Sequence, residues 1–220
     1  MLTPEHFSEW NEEMVHRYDP EVFHHHPRGV VRWVENKRVN AVINSLNVQQ
    51  GQRVLDVGCG AGNILAKVNA GNLEGVDISD FMVKRAIERI GDKGKISKSD
   101  AEQLPYPDAS FDRVIAASLL SHVLHPEQVI SELKRVTKPG GRIVISVSDE
   151  DQIEKGIRWA KASGLHGMFF GQSQVYSTEY HLHHFSLKRV RELVGNSLQE
   201  VSVKRVPFIF PVHAIIVYQR

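Results

Sequence analysis

Cysteine is nearly absent: Cys59 stands alone among 220 residues, which excludes a disulfide within the chain. A charge bias is absent too, with 27 Lys and Arg against 26 Asp and Glu. Without a basic field, neither nucleic acid nor an anionic membrane is an expected partner. No apolar run is long enough to span a bilayer. The opening residues, Met1-Leu2-Thr3-Pro4-Glu5-His6, lack the basic-then-apolar layout of a secretory leader, so a cytoplasmic protein is expected. No internal repeat or low-complexity tract interrupts the chain. Its length suits one α/β domain with elaborations, large enough to bury most of its apolar surface.

What the chain does contain is a strand that runs into a glycine-rich turn. Residues 53–62 read Arg-Val-Leu-Asp-Val-Gly-Cys-Gly-Ala-Gly. Val54, Leu55 and Val57 give a buried-strand pattern, and Ile64, Leu65 and Val68 give a helical one after the turn. Gly58, Gly60 and Gly62 let a ligand approach the backbone closely, and a helix behind them would point free N–H groups at it. A dinucleotide loop wants G-x-G-x-x-G. Here the spacing is G-x-G-x-G, Asn63 occupies the third-glycine position, and Asp56 would meet a pyrophosphate with like charge. Cys59 reads as a small buried residue beside the loop rather than a nucleophile.

The spacing predicts an amphipathic helix over 29–47, through Val31, Val34, Val42, Ile43 and Leu46. Gly71 is the expected C-cap of the helix after the glycine loop. Residues 73–78 form a second strand, and Ser79 or Asp80 caps a helix through Val83, Ala86, Ile87 and Ile90 that stops at Gly91. A weak third strand covers 95–99, and a fourth, 111–117, is apolar on both faces. Pro126 opens a helix through Val129, Leu133 and Val136, and Pro139-Gly140-Gly141 turns into a fifth strand at 142–147. This alternation argues for a doubly wound parallel sheet with helices on both faces. Further on come a helix around 153–162, an irregular stretch with Gly164, Gly167 and Gly171, and a capped helix at 186–194 ending at Gly195. Two closing strands, 201–206 and 214–218, lie on either side of Pro207 and Pro211.

Ten of the 12 histidines and 14 of the 17 aromatic residues lie outside 51–148. Such side chains shape small-molecule pockets. The expected division is therefore an N-terminal helical lid at 1–50, a cofactor core at 51–148, and a substrate-lid insertion with closing strands at 149–220. Four features fall at the carboxyl ends of successive strands, where open α/β sheets bind ligands. They are the loop at 56–62, Asp77, the triplet Asp100-Ala101-Glu102, and Ala117-Ser118. An acid about twenty residues past the glycine loop suits a ribose diol. To this point a nucleoside cofactor and a dinucleotide both fit.

The ordered set resembles the class I S-adenosylmethionine-dependent methyltransferases. The resemblance is carried by Val54-Leu55-Asp56-Val57-Gly58-Cys59-Gly60-Ala61-Gly62, Gly75-Val76-Asp77-Ile78-Ser79, Ser99-Asp100-Ala101-Glu102-Gln103-Leu104-Pro105-Tyr106 and Ser110-Phe111-Asp112. Leu120-Ser121-His122-Val123 and Lys138-Pro139-Gly140-Gly141 complete it. It implies a Rossmann-like, mostly parallel seven-stranded sheet and S-adenosylmethionine as cofactor. It further implies that Asp56, Gly58, Cys59, Gly60 and Gly62 line the methionine moiety, with the carboxylate favouring its ammonium. Asp77 would bind the ribose hydroxyls, and Ile78 would pack on the adenine. Asp100 would accept from the adenine amino group, with Ala101 and Glu102 beside it, and Ala117 and Ser118 would close the site. Many relatives carry Glu-His where Ser121-His122 stands, and often Glu in place of Ser118; these departures leave the acceptor chemistry open.

The resemblance implies methyl transfer to a small molecule, and the flank composition suggests an aromatic, quinone-like or lipid-linked acceptor. His122 is the first candidate base, against a rival reading as a packing histidine at the start of the next helix. His125 reads as a cap before Pro126. Tyr18, His26, Arg28, Tyr180 and His183 are candidate substrate contacts beside Tyr176, and Arg28 could meet the cofactor carboxylate or an acidic acceptor. The clusters His24-His25-His26 and His181-x-His183-His184 match no standard zinc spacing, so no metal is expected. Two competing readings stand. One is a catalytically weak S-adenosylmethionine-binding regulatory or assembly subunit, suggested by Ser118 and Ser121. The other is a nicotinamide-dependent oxidoreductase, against which Asn63 and Asp56 weigh.

Overall fold

The computed structural model describes residues 4–19, 21–69, 72–164, 180–207 and 212–220. Gly71, Gly167, Gly171, Tyr176 and Pro211, singled out above, lie outside the described residues. The strands are β1 (Arg53–Val57), β2 (Asn72–Asp77), β3 (Gly94–Lys98), β4 (Phe111–Ala117), β5 (Thr137–Ser148), β6 (Gln199–Val206) and β7 (His213–Gln219). They form one seven-stranded sheet in the order β3-β2-β1-β4-β5-β7-β6. β1 to β5 pair in parallel, and β7 lies antiparallel between β5 and β6. Strand order reverses between β1 and β4, which leaves a crevice at their carboxyl ends.

The helices are α1 (Pro4–Arg17), α2 (Val22–His25), α3 (Gly29–Leu46), α4 (Asp80–Ile90), α5 (Pro126–Val136), α6 (Glu150–Ala162) and α7 (Leu187–Val194). The period-two alternation of the strands builds two apolar layers. Leu55, Val57, Val114, Ala116, Ile143, Ile145 and Ile216 pack with Val129 and Leu133 of α5 and Val190 and Val194 of α7. Val54, Ile115, Val144, Ile215 and Val217 pack on the opposite face with Val39, Val42 and Leu46 of α3 and Ala86 and Ile90 of α4. Each fully buried aliphatic side chain contributes about 1.5–3 kcal/mol by leaving water. Asp56 lies between Leu55 and Val57, so the same alternation turns it toward α3. Ser79 caps α4 through Oγ, which accepts from the Met82 N–H at 3.1 Å. Pro126 occupies the first turn of α5, and Ser186 caps α7. Among the described residues no helix is long and apolar enough to cross a membrane.

Two expectations are corrected. The helix after the glycine loop is a single 3-10 turn, Leu65–Lys67. The chain crosses from β1 to β2 within residues 58–71, and the glycine loop takes the first of these, leaving no room for several helical turns. The turn at 139–141 is instead a bulge within β5. Phe111 pairs with Thr137 and Arg113 with Arg142, so Asp112 faces the whole of 138–141. Lys138 Nζ reaches back to both Asp112 oxygens at 2.9 Å.

Candidate functional site

β1 carries Asp56 to the carboxyl edge of the sheet. Its side chain is buried, and among the described residues neither oxygen has a hydrogen-bond partner. Burial and then the Asp77 carboxylate push its pKa up to about 8, while the Arg38 guanidinium pulls the other way. A buried carboxyl without partners is costly, so this position favours a cationic ligand group. The Gly58 and Cys59 N–H groups both donate to the Val76 carbonyl, at 2.8 and 2.9 Å, and the Gly60 N–H donates to Asp77 Oδ2 at 2.8 Å. These loop donors are engaged by the end of β2, which corrects the expectation of free N–H groups backed by a helix. Gly60, at φ +52, has open space where a Cβ would stand, whereas a Cβ on Gly58 would meet Leu119 Cδ1 at 2.7 Å. Burial pushes the Cys59 thiol up, consistent with a packing role.

Asp77 also accepts from the Ser79 N–H, at 3.0 Å, and burial raises its pKa against the pull of these backbone donors. Its oxygens keep lone pairs for two further donors. Ile78 is half-buried just beyond it. Asp100 Oδ1 accepts from the Glu102 N–H at 2.9 Å, burial raises the Asp100 pKa, and Ala101 is buried alongside. Glu102 is engaged elsewhere: its carboxylate takes the His125 N–H and His125 Nδ1, both at 2.7 Å. His125 sits at the N-cap position of α5 but makes no side-chain cap bond. It is the partner of Glu102, not a cap.

At the end of β4, half-buried Ala117 precedes Ser118, whose φ of +56 is uncommon for a serine. The Ser118 N–H donates to the Ser146 carbonyl at 2.7 Å, and its Oγ accepts from Arg38 Nη1 at 3.3 Å. Arg38 forks onto Glu35, with Nε at 2.9 Å and Nη2 at 2.5 Å. Burial opposes ionisation of Glu35, yet Arg38 wins and holds its pKa at about 2. Sequence reasoning missed this pair. The available signal was that Glu35 and Arg38 share the helical face of Val39, Val42 and Leu46, where charge is unusual.

His122 ends a 3-10 turn, Leu120–His122. Its Nδ1 lies 3.0 Å from the Tyr180 carbonyl, which can only accept, so Nδ1 carries the proton and Nε2 the lone pair. Burial lowers its pKa to about 4. The Tyr180 ring lies 4.2 Å from the His122 ring and packs on Val15, Ala61 and Met82, joining α1, the glycine loop and α4. Other sequence candidates go elsewhere. His183 Nε2 reaches the Leu124 carbonyl at 3.2 Å, bracing the turn below His122. His26 is buried and accepts the Arg28 N–H on Nδ1 at 3.1 Å. Arg28 is exposed at the N-cap position of α3, and Tyr18 is half-buried with Arg17 5.6 Å above its ring. The buried cation beside Asp56 is therefore Arg38, not Arg28.

A second missed residue is Glu21. Its buried carboxylate takes Asn63 Nδ2 at 2.5 Å and both terminal nitrogens of Arg89, at 3.0 and 2.8 Å. Arg89 also donates to the Ala61 carbonyl. Burial pushes Glu21 up, but the Arg89 and Asn63 bonds bring its pKa to about 2. Asn63, the residue that spoiled the dinucleotide spacing, thus ties the N-terminal segment to the glycine loop.

A methyltransferase domain model matches residues 55–145, the stretch that builds this edge. Over this stretch the chain is similar to the class I S-adenosylmethionine-dependent methyltransferase superfamily. It is 36% identical over 111 residues to the ubiquinone/menaquinone biosynthesis C-methyltransferase of Burkholderia orbicola, across 47% of this chain and 46% of that protein. It thus spans about half the length of the curated relatives it matches. The fold is shared with the magnesium protoporphyrin IX methyltransferase of Synechocystis PCC 6803, solved with bound S-adenosylhomocysteine (TM-score 0.70, 21% identity, 96% of each chain). It is also shared with the cyclase SpnF (TM-score 0.73, 18% identity, 97% of this chain and 96% of that one).

The superfamily's cofactor is S-adenosylmethionine, and the residues present fit it. The unpartnered Asp56 carboxyl suits an ammonium, the buried Arg38 guanidinium suits a carboxylate, and the open space over Gly60 admits the ligand. Asp77 and Asp100 retain acceptor capacity for hydroxyl and amino donors.

Proposed function

We propose that the protein transfers a methyl group from S-adenosylmethionine to a small-molecule acceptor. The observation that carries this reading is Asp56: a buried, unpartnered carboxyl beneath a glycine loop, with Arg38 close by. When bound, the cofactor supplies an electrophilic methyl group. Asp56 holds its ammonium and Arg38 its carboxylate. Asp77, fixed by the Gly60 and Ser79 N–H groups, holds the ribose hydroxyls, while Ile78 and Asp100 address the adenine. These contacts fix the donor so that reaction needs orientation more than acid strength. His122 Nε2 takes the proton from an O–H or C–H acceptor; its low pKa keeps it unprotonated at neutral pH but makes it a weak base, suited to an acidic acceptor. A phenolic or quinol-like compound meets that need, and the name of the Burkholderia relative points the same way. In this reading residues 1–50 form the lid, with α3 rooted in the sheet layer, 51–148 the cofactor core, and 149–220 the acceptor side. The single cysteine supports a cytoplasmic site of action.

Calorimetric titration with S-adenosylmethionine and S-adenosylhomocysteine tests the first step; absence of both heat and thermal protection refutes it. Incubation with methyl-labelled cofactor and a panel of phenols and quinols tests the second. A second reading, cofactor binding without methyl transfer, is favoured by the weak basicity of His122, and the cyclase neighbour shows that the fold alone does not dictate methyl transfer. Binding with no labelled product across the panel would select it.

A further inference from the structure

The outer face of the α2–α3 segment is built unlike the rest of the surface. Among the described residues, the exposed large apolar side chains are Val22, Val30, Trp33, Ile87, Trp159 and Val201, and the first three come from this one segment. Val30 and Trp33 are 61% and 50% exposed. With Lys37 they follow at three and then four residues, so they line one helical face. Lys37 Nζ lies 5.8 Å from the centre of the Trp33 ring. Arg28, Arg32 and Lys37 are all exposed along this stretch. Between Val22 and Asn47 the sole acid is Glu35, which is buried against Arg38. The near-zero net charge of the chain therefore conceals a segment, Val22 to Asn47, that is basic and apolar and carries no exposed acid of its own.

We propose that this face docks on an anionic lipid surface, with Trp33, Val30 and Val22 entering the interface and Lys37, with Arg28 at the start of the helix, meeting the headgroups. Basic side chains flanking an exposed Trp and aliphatic groups match the charge and polarity profile of such an interface. A protein partner of ordinary size would need about 20–30 residues a side, far more than this strip offers. A nucleic acid would have no use for the exposed Val side chains. The inner face of the same segment carries Glu35 and Arg38 at the carboxyl edge of the sheet. Docking would thus place the proposed site beside the lipid, where a lipid-soluble acceptor could be drawn from it.

The test uses the full chain and needs no methyl acceptor. Co-sedimentation with vesicles of phosphatidylglycerol and phosphatidylcholine should show binding that weakens with added salt and is absent with phosphatidylcholine alone. In a Trp10→Phe, Trp159→Phe background, Trp33 emission should shift to the blue on adding the anionic vesicles. Val30→Ser with Trp33→Ser should weaken binding about tenfold or more, and Lys37→Glu about fivefold or more. Both variants should retain the parent melting temperature and affinity for S-adenosylhomocysteine, so a loss of vesicle binding is not a loss of fold. No binding to anionic vesicles at low salt overturns the proposal, as does equal binding to neutral ones or binding indifferent to the two variants. A stable dimer abolished by Trp33→Ser, without vesicle binding, overturns it in favour of a second copy.

Discussion

The two halves of the candidate site are held in different ways. The cofactor half is held by backbone and by neighbours in register: the Gly58 and Cys59 N–H groups on the Val76 carbonyl, and Asp77 on Gly60 and Ser79. The flanks that close over it are joined to it by side chains far apart in the chain. Arg38 meets Ser118, His122 meets the Tyr180 carbonyl, and Glu21 meets Asn63 and Arg89. The first arrangement positions a constant ligand with little freedom. The second can be retuned by single substitutions, which suits the part of an enzyme that selects its acceptor.

The largest expected effect separates the halves. His122→Asn keeps a donor for the Tyr180 carbonyl and removes the Nε2 lone pair. For an acceptor that must lose a proton, kcat should fall about 10²–10⁴-fold, while calorimetric affinity for S-adenosylmethionine stays near the parent value. Equal loss of both would mean that the two halves are not separable. Asp77→Ala should act in the opposite sense. It removes a charged acceptor from two hydroxyl donors and frees the Gly60 and Ser79 N–H groups, so cofactor affinity should fall about 100-fold. An unchanged dissociation constant would refute the ribose assignment.

Asp56→Asn should move stability and binding in opposite directions. Below pH 3.8 the Asp56 carboxyl is neutral in folded and unfolded chains alike. As pH rises toward about 8, the unfolded chain ionises while the folded one holds the proton, so the ligand-free protein loses stability across that window. Asn cannot ionise, and the variant should be more stable than the parent at pH 8 by on the order of 3 kcal/mol. Cofactor affinity should nevertheless fall about tenfold. In the parent, an arriving ammonium favours the ionised carboxyl, so binding near pH 7 should release a proton. Calorimetry in buffers of different ionisation enthalpy measures that release; its absence would leave Asp56 without its assigned partner.

How much of this was legible follows from the same contrast. The strands of the sheet, the Ser79 and Ser186 caps and the acids at strand ends are local signals: period-two runs, capping hydroxyls, and carboxylates just past an apolar run. The short crossover after the glycine loop was misread because Ile64, Leu65 and Val68 have helical spacing, while the length available to 71 decides the outcome. The His125 partner of Glu102 was not legible because it lies beyond β4. Arg38 was not singled out because position along a segment cannot reveal which arginine is buried. The Glu35–Arg38 pair and the Glu21 contacts required two or three elements to be placed first, and no spacing rule encodes them.

The smallest expected effect probes the seam between the halves. Glu21 belongs to the N-terminal segment, yet its hydrogen bonds end on the glycine loop through Asn63 and, via Arg89, on the Ala61 carbonyl. Its folded pKa of about 2 lies below the ordinary 4.5, so its contribution is present above pH 4.5 and disappears as pH falls through about 2. Glu21→Gln should therefore cost about 2 kcal/mol at pH 7, after allowance for the partial exposure of Arg89. At about 2–4 °C per kcal/mol for a chain of this size, the melting temperature should drop by several degrees. The gap between variant and parent should close as the pH is lowered through the acid window. If the seam also couples lid to loop, the variant should lose cofactor affinity by a few-fold although Glu21 is not assigned a contact with the ligand. A constant melting gap down to pH 3 would show that Glu21 acts by packing and not by charge. An unchanged cofactor affinity would show that the glycine loop keeps its shape without the N-terminal segment.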